Sequence, residues 1–401
     1  MPNSLVTNKL ATAVAVRAAE SAGYLTVGSK AYFKNQLAEK NNGQSYAFYV
    51  HDVGGAVNRL AYQEGDKTNL VERKVTLTLD PWHIMISTNA IEKVTDVEDW
   101  EDEIARPNGV ALIQDLVEKT INNDLGKIGA AFVGSGFSPL SQASGHLASV
   151  VNGELFGFCS PQVEAILTSN GQQFVPVGAR DMYAQGLLGR FHGATYRSQR
   201  FFPVVNVSSA LATAVASAKV TGAVDNEDGT FTITASGFTA GINIPKGYPL
   251  FIEGVKACDT VGKPTDMDQA WIVLEAVTTT GATVGLKVRS KDLRLGGTRE
   301  IATEDGKSFA TAANITGNTQ GPDAGKYYMG IVRADGAMEF ETLDKLDAAG
   351  AEYEKSPNVA GLTVHQNRLV DLKAMTDDTR WDIVSLAGVV EGRAVAAFYV
   401  K

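Results

Sequence analysis

The residues whose side chains could do chemistry are scattered along this sequence. No phosphate loop, dinucleotide-binding glycine motif, zinc-protease motif or serine-hydrolase motif occurs in it. The histidines show no metal-ligand spacing, so we expect them to be core or surface residues: His51, His83, His146, His192 and His365. The sequence therefore predicts no enzyme, no metal site and no cofactor.

Cys159 is the best candidate nucleophile, because a helix start after it would lower its pKa. Its neighbours Phe156, Phe158 and Pro161 favour a buried structural thiol instead. The other cysteine, Cys258, is distant in sequence, so no disulfide framework is predicted and a reducing cytosol suits the chain.

Two acidic clusters could contact a cation. Asp266 and Asp268 form one cluster, and Asp225 and Asp228 belong to the other. Neither has the number of ligands that a calcium loop needs, so both are predicted to be surface turns.

Composition narrows the classes of function. The chain has 401 residues, a net charge of -9 and a pI of about 5.2. This length suits two or three domains, and the acidity disfavours binding dominated by nucleic-acid phosphates. Arg17 and Glu20 interrupt the first apolar run, and no stretch reaches the roughly 18 apolar residues of a membrane span, so neither a signal peptide nor a span is predicted.

The first half of the chain is predicted to be rich in helices. Ser4–Ser21 has helical periodicity, and this helix either lies on a neighbouring subunit or packs on its own domain. Pro107 and Asn108 open a second, long helix of roughly 40 Å. It follows the acidic run Thr95–Glu103, interpreted as a solvated face. Its apolar stripe is predicted to reach the end of the helix before Gly134: Ile113, Val117, Ile121, Leu125, Ile128 and Phe132.

Strands precede and follow the long helix. Ser45–Val50 and Val75–Leu79 alternate like paired strands, and their long connection is either an extended arm or a surface loop. Leu155–Cys159 predicts a strand, and Ser160 and Pro161 are typical of the start of a helix that ends at Asn170–Gly171. Further strands are predicted at Phe174–Val177, Ala194–Tyr196 and Phe201–Val205.

A run of short strands then interrupts the chain, and its glycine turns are typical of a small closed antiparallel β-barrel. Its predicted strands are Lys219–Val224, Phe231–Phe238, Tyr248–Val255, Ala270–Thr278 and Ala282–Val288. Mixed sequence resumes afterwards, with turns at Asp377–Asp378 and Glu391–Gly392. The predicted closing strands are Tyr327–Val332, Leu362–Asp371, Trp381–Ala387 and Ala394–Val400. A barrel inserted into a host domain explains this order.

The order of these parts resembles the major capsid proteins of short-tailed double-stranded DNA phages, which have the Hong Kong-type (HK-97-like) capsid fold. CSPQVEAILTSNG resembles the start of that family's axial domain, and VTGAVDNEDGTFTITASGFTAGINIPKGYPLFIEGVKA resembles its inserted barrel. GLTVHQNRLVDLKAMTDDTRWDIVSLAGVVEGRAVAAFYV resembles its closing strands. One departure is the hairpin at Asp225–Gly229, which is shorter than the family's acidic loop.

The resemblance implies an α+β fold with defined parts. These are an N-terminal arm (1–40), an extended hairpin called the E-loop (41–80), a peripheral domain with a spine helix (81–150), the axial domain with the closing strands of the axial and peripheral domains (151–206 and 326–401), the inserted barrel (207–300) and a linker (301–325). It also implies that copies of the chain form hexamers and pentamers of an icosahedral shell around packaged DNA. Implied partners are a scaffolding protein, a portal and a possible decoration protein, with no membrane. Assembly is expected in the bacterial host cytoplasm.

Charged residues in the E-loop and the insertion are the candidate contacts between subunits under this resemblance. They are Arg59, Lys67, Glu72, Arg73, Asp225, Glu227, Asp228 and Arg289.

Two other interpretations stay open from the sequence. The chain could be another virion or cargo-enclosing shell protein of the same fold. It could also be a carbohydrate-active protein with an accessory barrel, although the dispersed tryptophans argue against this: Trp82, Trp100, Trp271 and Trp381.

Overall fold

A computed structural model shows an α+β protein and describes residues 4–32, 45–52, 71–89, 106–171, 189–191, 193–226, 230–258, 264–290, 322–343, 352–371 and 376–401. The helices in these residues are α1 (Ser4–Ser21), α2 (Gly23–Thr26), α3 (Arg106–Asp124), α4 (Ser138–Val150), α5 (Pro161–Gly171) and α6 (Ser209–Ser217). Among the helices of these ranges, none is long and apolar enough to cross a membrane.

The strands follow in chain order. They are β1 (Ser29–Lys30), β2 (Ser45–Asp52), β3 (Val71–Thr78), β4 (Asp80–Asn89), β5 (Ala130–Gly134), β6 (Leu155–Cys159), β7 (Gly189–Phe191), β8 (Ala194–Ser198), β9 (Val204–Val207), β10 (Lys219–Asp225), β11 (Thr230–Ser236), β12 (Asn243–Ile244), β13 (Pro249–Cys258), β14 (Pro264–Ile272), β15 (Val277–Thr278), β16 (Thr283–Ser290), β17 (Gly325–Ala334), β18 (Met338–Thr342), β19 (Glu352–Lys355), β20 (His365–Asp371), β21 (Thr376–Val389) and β22 (Val395–Val400).

The chain divides into two compact units, each built from separated segments. Unit 1 contains residues 1–46, 77–120 and 338–388. Unit 2 contains residues 47–76, 121–337 and 389–401. The chain therefore passes repeatedly from one unit to the other.

Unit 1 is built on a sheet with the order β1-β18-β21-β20-β19, and β4 pairs along β21 as well. Trp381 in β21 is fully buried, and its indole N–H donates to the Gln366 side-chain oxygen at 2.9 Å.

Helix α1 packs within this unit, because Val14 is fully buried. A Cβ at Gly109 would lie 2.7 Å from the Val14 carbonyl oxygen, so glycine lets α1 and α3 approach closely. Packing on its own domain, one of two alternatives for α1, is therefore what the structure shows.

Unit 2 is built on a second sheet with the order β5-β22-β17-β6-β8-β7, and β9 also pairs with β17. Strand β22 lies in its interior, parallel to β5 and antiparallel to β17, and all six of its residues are buried. The ring of Phe398 lies where a Cβ of Gly330 would be, and it meets the Tyr196 ring edge to face at 6.1 Å. Glycine at position 330 therefore makes room for the aromatic core.

Four of the five predicted strands of the insertion are present, but Ala270–Thr278 is not one strand, because β14 ends at Ile272 and β15 covers only Val277–Thr278. The strands do not close into a barrel within the described ranges. They form one three-stranded ladder, β10-β11-β16, and two separate pairs, β12-β15 and β13-β14. A register shift interrupts β10 between Val220 and Gly222, and another interrupts β13 after Phe251. Strands β12 and β15 pair over only two residues, and an isolated bridge between Val273 and Val288 joins the end of β14 to β16.

The inserted strands are hydrogen-bonded to the rest of unit 2. The Tyr399 hydroxyl in β22 donates to the Gly247 carbonyl oxygen at 2.8 Å, and the Ala270 amide donates to the Gly129 carbonyl oxygen at 3.4 Å. Helix α6, which the sequence did not predict, precedes β10. Ser208 caps it by accepting the Leu211 amide at 3.1 Å.

The long helix is shorter than predicted. Helix α3 ends at Asp124, a 3-10 turn covers Leu125–Lys127, and Phe132 lies in strand β5. The 19 residues of α3 span about 28 Å rather than 40 Å. Gly126 and Gly129 explain the end, because each glycine costs a helix about 1 kcal/mol relative to alanine. The apolar stripe is nonetheless buried along its whole predicted length.

Two turn predictions were wrong. Asp377 and Asp378 lie inside β21, because this strand pairs with β20 on one side and β4 on the other. Asp266 and Asp268 lie inside β14, which pairs with β13. In both places pairing with neighbouring strands overrides a local turn signal. The sequence also failed to predict strands β1, β4, β5, β7, β12, β18 and β19.

The prediction around Ser160 is confirmed. Strand β6 ends at Cys159, and the Ser160 hydroxyl accepts the Val163 amide at 3.4 Å at the start of α5. Val163 and Leu167 are fully buried, and α5 ends at Gly171. The predicted strand Phe174–Val177 and the acidic run Thr95–Glu103 lie outside the described residues.

Ile121→Asp should destabilise the chain strongly, because Ile121 is fully buried and the substitution places a charge in an apolar stripe. We expect a loss of about 4 kcal/mol in the free energy of unfolding. Urea unfolding of the soluble subunit, followed by circular dichroism, measures it.

The matched control is Asn123→Asp, which introduces the same charge at an exposed position of the same helix. It should change stability by at most about 0.5 kcal/mol. Equal stability of the two variants would show that the stripe does not face a packed core.

Candidate functional site

The candidate contact residues divide into two groups. Arg59, Lys67, Glu227 and Asp228 lie outside the described residues. Of the rest, Glu72 and Arg73 lie in β3, Asp225 ends β10, and Arg289 lies near the end of β16.

Strands β2 and β3 form a two-stranded sheet, as the sequence predicted for an extended arm. Both strands have eight residues. An isolated pair of strands is only marginally stable in water, because it cannot bury a face of its own. Such a ribbon gains stability when another surface covers it.

The structure brings Asp225 and Arg289 to the same end of the ladder β10-β11-β16. Asp225 is the Cα partner of Phe231, and Phe231 is the partner of Val288, the residue before Arg289. The central strand β11 separates the two charged residues. The sequence alone did not place them in one small sheet.

An apolar surface on the sheet of unit 1 was missed by the sequence analysis. Met85 in β4 is 59% exposed and Leu369 in β20 is 55% exposed. Met85 pairs with Arg380, and Leu369 pairs with Asp378, which in turn pairs with Ser87 beside Met85. Paired residues of an antiparallel sheet share a face. Met85, Arg380 and Leu369 therefore mark one exposed face, which we call the β4–β20 face.

The signal for this face was available in DPWHIMISTN, where half-buried and exposed residues alternate. Trp82, Ile84 and Ile86 are half-buried, while His83 and Met85 between them are exposed. This is the period-2 pattern of a strand with one solvated side.

A buried carboxylate fixes the polar part of the β4–β20 face. Asp382 accepts the Arg380 Nε–H at 2.8 Å and the Asn367 side-chain amide at 3.0 Å. Arg380 also contacts it through Nη2 at 2.6 Å, and the arginine side chain is 47% exposed whereas that of Asp382 is 5% exposed. Asp382 therefore holds an exposed cation in one place between the two apolar side chains.

His365 lies beside this carboxylate but is engaged through both ring nitrogens. Nδ1 contacts the Tyr353 hydroxyl at 2.7 Å, and Nε2 contacts the Leu343 carbonyl oxygen at 2.7 Å. A carbonyl can only accept, so Nε2 carries the proton and Nδ1 accepts from Tyr353. This histidine is fully buried and serves as a structural link between β19 and β20.

Cys159 is a buried structural thiol, as predicted. It is fully buried, and its Sγ–H donates to the Arg197 carbonyl oxygen at 3.6 Å. Burial raises the pKa of this thiol far above its ordinary value, and the carboxylate of Glu164 raises it further. The thiolate that nucleophilic chemistry requires is thus disfavoured.

Other titratable groups in unit 2 are also shifted by burial. Burial raises the pKa of Tyr399 and of Tyr196, although the Ser144 hydroxyl, 2.6 Å from the Tyr196 oxygen, opposes the second shift. Burial lowers the pKa of His146, whose ring centroid lies 5.7 Å from that of Phe132.

In the part of the chain that the structure describes, no group of three or more acidic, histidine or cysteine side chains could hold a metal ion.

No protein-family model and no curated protein sequence matches the chain. Solved structures similar to it include several from phages and a virus-like particle from Pyrococcus furiosus. A structure from Mycobacterium phage Che8 has 12% identity and a TM-score of 0.43, and the match covers 93% of this chain and 89% of that one. The capsid of Ralstonia phage GP4 has 8% identity and a TM-score of 0.43, covering 90% and 85%. The capsid of cyanophage P-SCSP1u has 10% identity and a TM-score of 0.42, covering 90% and 84%.

Cys159 should resist alkylation in the folded chain, because it is buried and its thiol has a raised pKa. After brief treatment with iodoacetamide at pH 8, mass spectrometry should find it at least about tenfold less modified than in urea-unfolded protein. Rapid modification under native conditions would contradict the buried position of Cys159.

Proposed function

We propose that this chain is a major capsid protein, which self-assembles into the icosahedral shell around the double-stranded DNA of a short-tailed phage. It is a structural protein of the virion and catalyses no reaction. The observation that carries the proposal is the two-stranded β2–β3 ribbon, which needs a surface outside itself to be stable. A neighbouring copy of the chain supplies that surface in a shell.

The other elements agree with this proposal. The order of arm, long helix, sheets and inserted strands is the order that the sequence resemblance implies. The β4–β20 face adds exposed apolar side chains around a fixed cation, and such a surface is typical of protein contacts. In a shell these contacts repeat between every pair of neighbours, so weak single contacts add up.

The proposed partners follow from assembly. Copies of the chain form hexamers and pentamers, with a scaffolding protein and a portal present during assembly. Packaged DNA is contacted without sequence specificity, and the acidic net charge is compatible with this, because a shell encloses the DNA and does not need to bind it tightly. Assembly takes place in the bacterial host cytoplasm, and a decoration protein is a further candidate partner.

Deletion of residues 52–69, which removes the last residue of β2 and most of its connection to β3, tests the proposal. Co-expressed with its scaffold, the unchanged chain should form closed particles visible by negative-stain microscopy. The deletion variant should give a folded subunit with an unchanged melting temperature but no stable shells, because a contact between copies is lost while the deleted sequence has no apolar periodicity.

Normal shells from the deletion variant would contradict the role of the ribbon, and a chain that stays monomeric under all assembly conditions would contradict the function itself. Closed shells that enclose protein cargo and no DNA when isolated from infected cells would favour a cargo-enclosing compartment of the same fold.

The charged residues of the insertion are proposed as contacts between capsomers, because Asp225 and Arg289 lie at one end of a small ladder. Replacing Asp225, Glu227 and Asp228 with Ser should leave subunit melting unchanged, since an exposed ion pair contributes only about 0–1 kcal/mol. Particle shape in electron micrographs should become irregular.

The matched control replaces three acidic residues outside the insertion, Asp115, Glu118 and Glu154, with Ser and lowers the negative charge equally. Regular particles from both variants, at low and at high salt, would show that the insertion's acids make no contact between capsomers.

A further inference from the structure

Buried charged side chains surround the segment that joins β21 to β22. Asp124 is fully buried, and Lys127 and Arg393 are 8% and 3% exposed. Burying a charge is a costly way to gain stability, because the desolvation penalty offsets much of the attraction between charges. Buried charged residues are therefore better suited to fixing the position of the backbone they bind than to adding stability.

Asp124 and Lys127 hold the two polar backbone groups of a single residue, Val389. The Asp124 carboxylate accepts the Val389 amide N–H at 2.8 Å. The Lys127 ammonium donates to the Val389 carbonyl oxygen at 3.3 Å. Asp124 precedes the 3-10 turn and Lys127 is its last residue, so this short turn places both side chains against Val389.

The neighbouring backbone is held at two further points, Ala337 and Gly129. The Val390 and Glu391 amides both donate to the Ala337 carbonyl oxygen, at 2.9 Å and 3.2 Å. The Gly129 amide donates to the Gly392 carbonyl oxygen at 3.1 Å. Glu391 also binds Arg393 through two side-chain hydrogen bonds of 2.9 Å and 3.1 Å.

These residues mark three places where the chain enters or leaves unit 2. The chain enters at Ile121 within α3, leaves after Ala337, and returns at Val389. All of the bonds described above lie inside unit 2. They join three connections that are far apart in sequence into one hydrogen-bonded cluster.

We propose that Asp124 and Lys127 form a latch on Val389, which locks these three connections together and opens without unfolding the sheet of unit 2. The latch is held by side chains, whereas β22 is held by its own ladders with β5 and β17. Its opening therefore frees the segment 389–394 while β22 stays paired. This device does not depend on the proposed function.

Hydrogen–deuterium exchange on the full-length soluble subunit tests the latch through Asp124→Ala. The amides of Val389, Val390 and Glu391 should exchange about 10- to 100-fold faster, because a buried hydrogen bond to a charged group is lost. The amides of Ala396–Val400 should keep their protection. Asp124→Asn, which retains an acceptor oxygen without the charge, should give a smaller effect.

The matched control is Asp115→Ala, which removes an exposed carboxylate from the same helix. Equal protection of Val389 in Asp124→Ala and in this control would overturn the latch. A uniform loss of protection across unit 2, β22 included, would also overturn it, since Asp124 would then contribute only to global stability. If Asp124→Ala does not fold, Asp124→Asn and Lys127→Met are compared with the control instead. Unchanged protection of Val389, or a uniform loss of protection across unit 2, would again overturn the latch.

Discussion

The placement of β22 inside the sheet of unit 2 is the constraint on which much of this structure depends. Strand β22 forms ladders on both sides, with β5 and with β17, and so joins two parts of the chain that are distant in sequence. The aromatic core requires it as well, because Phe398 fills the space that Gly330 leaves. The inserted strands are tied to it through the Tyr399 hydroxyl. Removing this strand would leave two sheet edges, a core gap and an unpaired carbonyl at Gly247.

Local features of the sequence predicted local structure well. The strand before Cys159, the cap at Ser160 and the helix start at Pro161 depend on residues that are neighbours in sequence, and the structure confirms them. The end of α3 could not be predicted by periodicity alone. Ile128 and Phe132 continue the apolar stripe because they are buried, but a buried strand after a turn satisfies the same pattern. Periodicity over a few residues predicts burial more securely than it predicts the type of element.

Long-range pairing explains what the sequence could not reveal about the candidate site. Asp377 and Asp378 resemble a turn until β4 and β20 are known to pair on either side. The β4–β20 face is assembled from strands that are far apart in sequence, so the proximity of Met85, Arg380 and Leu369 depends on register. Asp382 was not a candidate for the same reason: its buried position and its two partners follow from the sheet. By contrast, Cys159 was interpreted correctly because its apolar neighbours are adjacent in sequence.

The position of β22 also has a kinetic consequence. Ala130 pairs with Ala396, so the sheet closes only after a very long loop has formed, and such high contact order slows folding. Until then β5 and β17 have unpaired edges. Strand β22 of another copy has the same sequence as the chain's own β22 and fits between them equally well. Slow closure at high subunit concentration therefore favours strand exchange between copies. The yield of native monomer should therefore rise as the chain is diluted during folding. The folded sheet itself is the same whichever rate the exchange had.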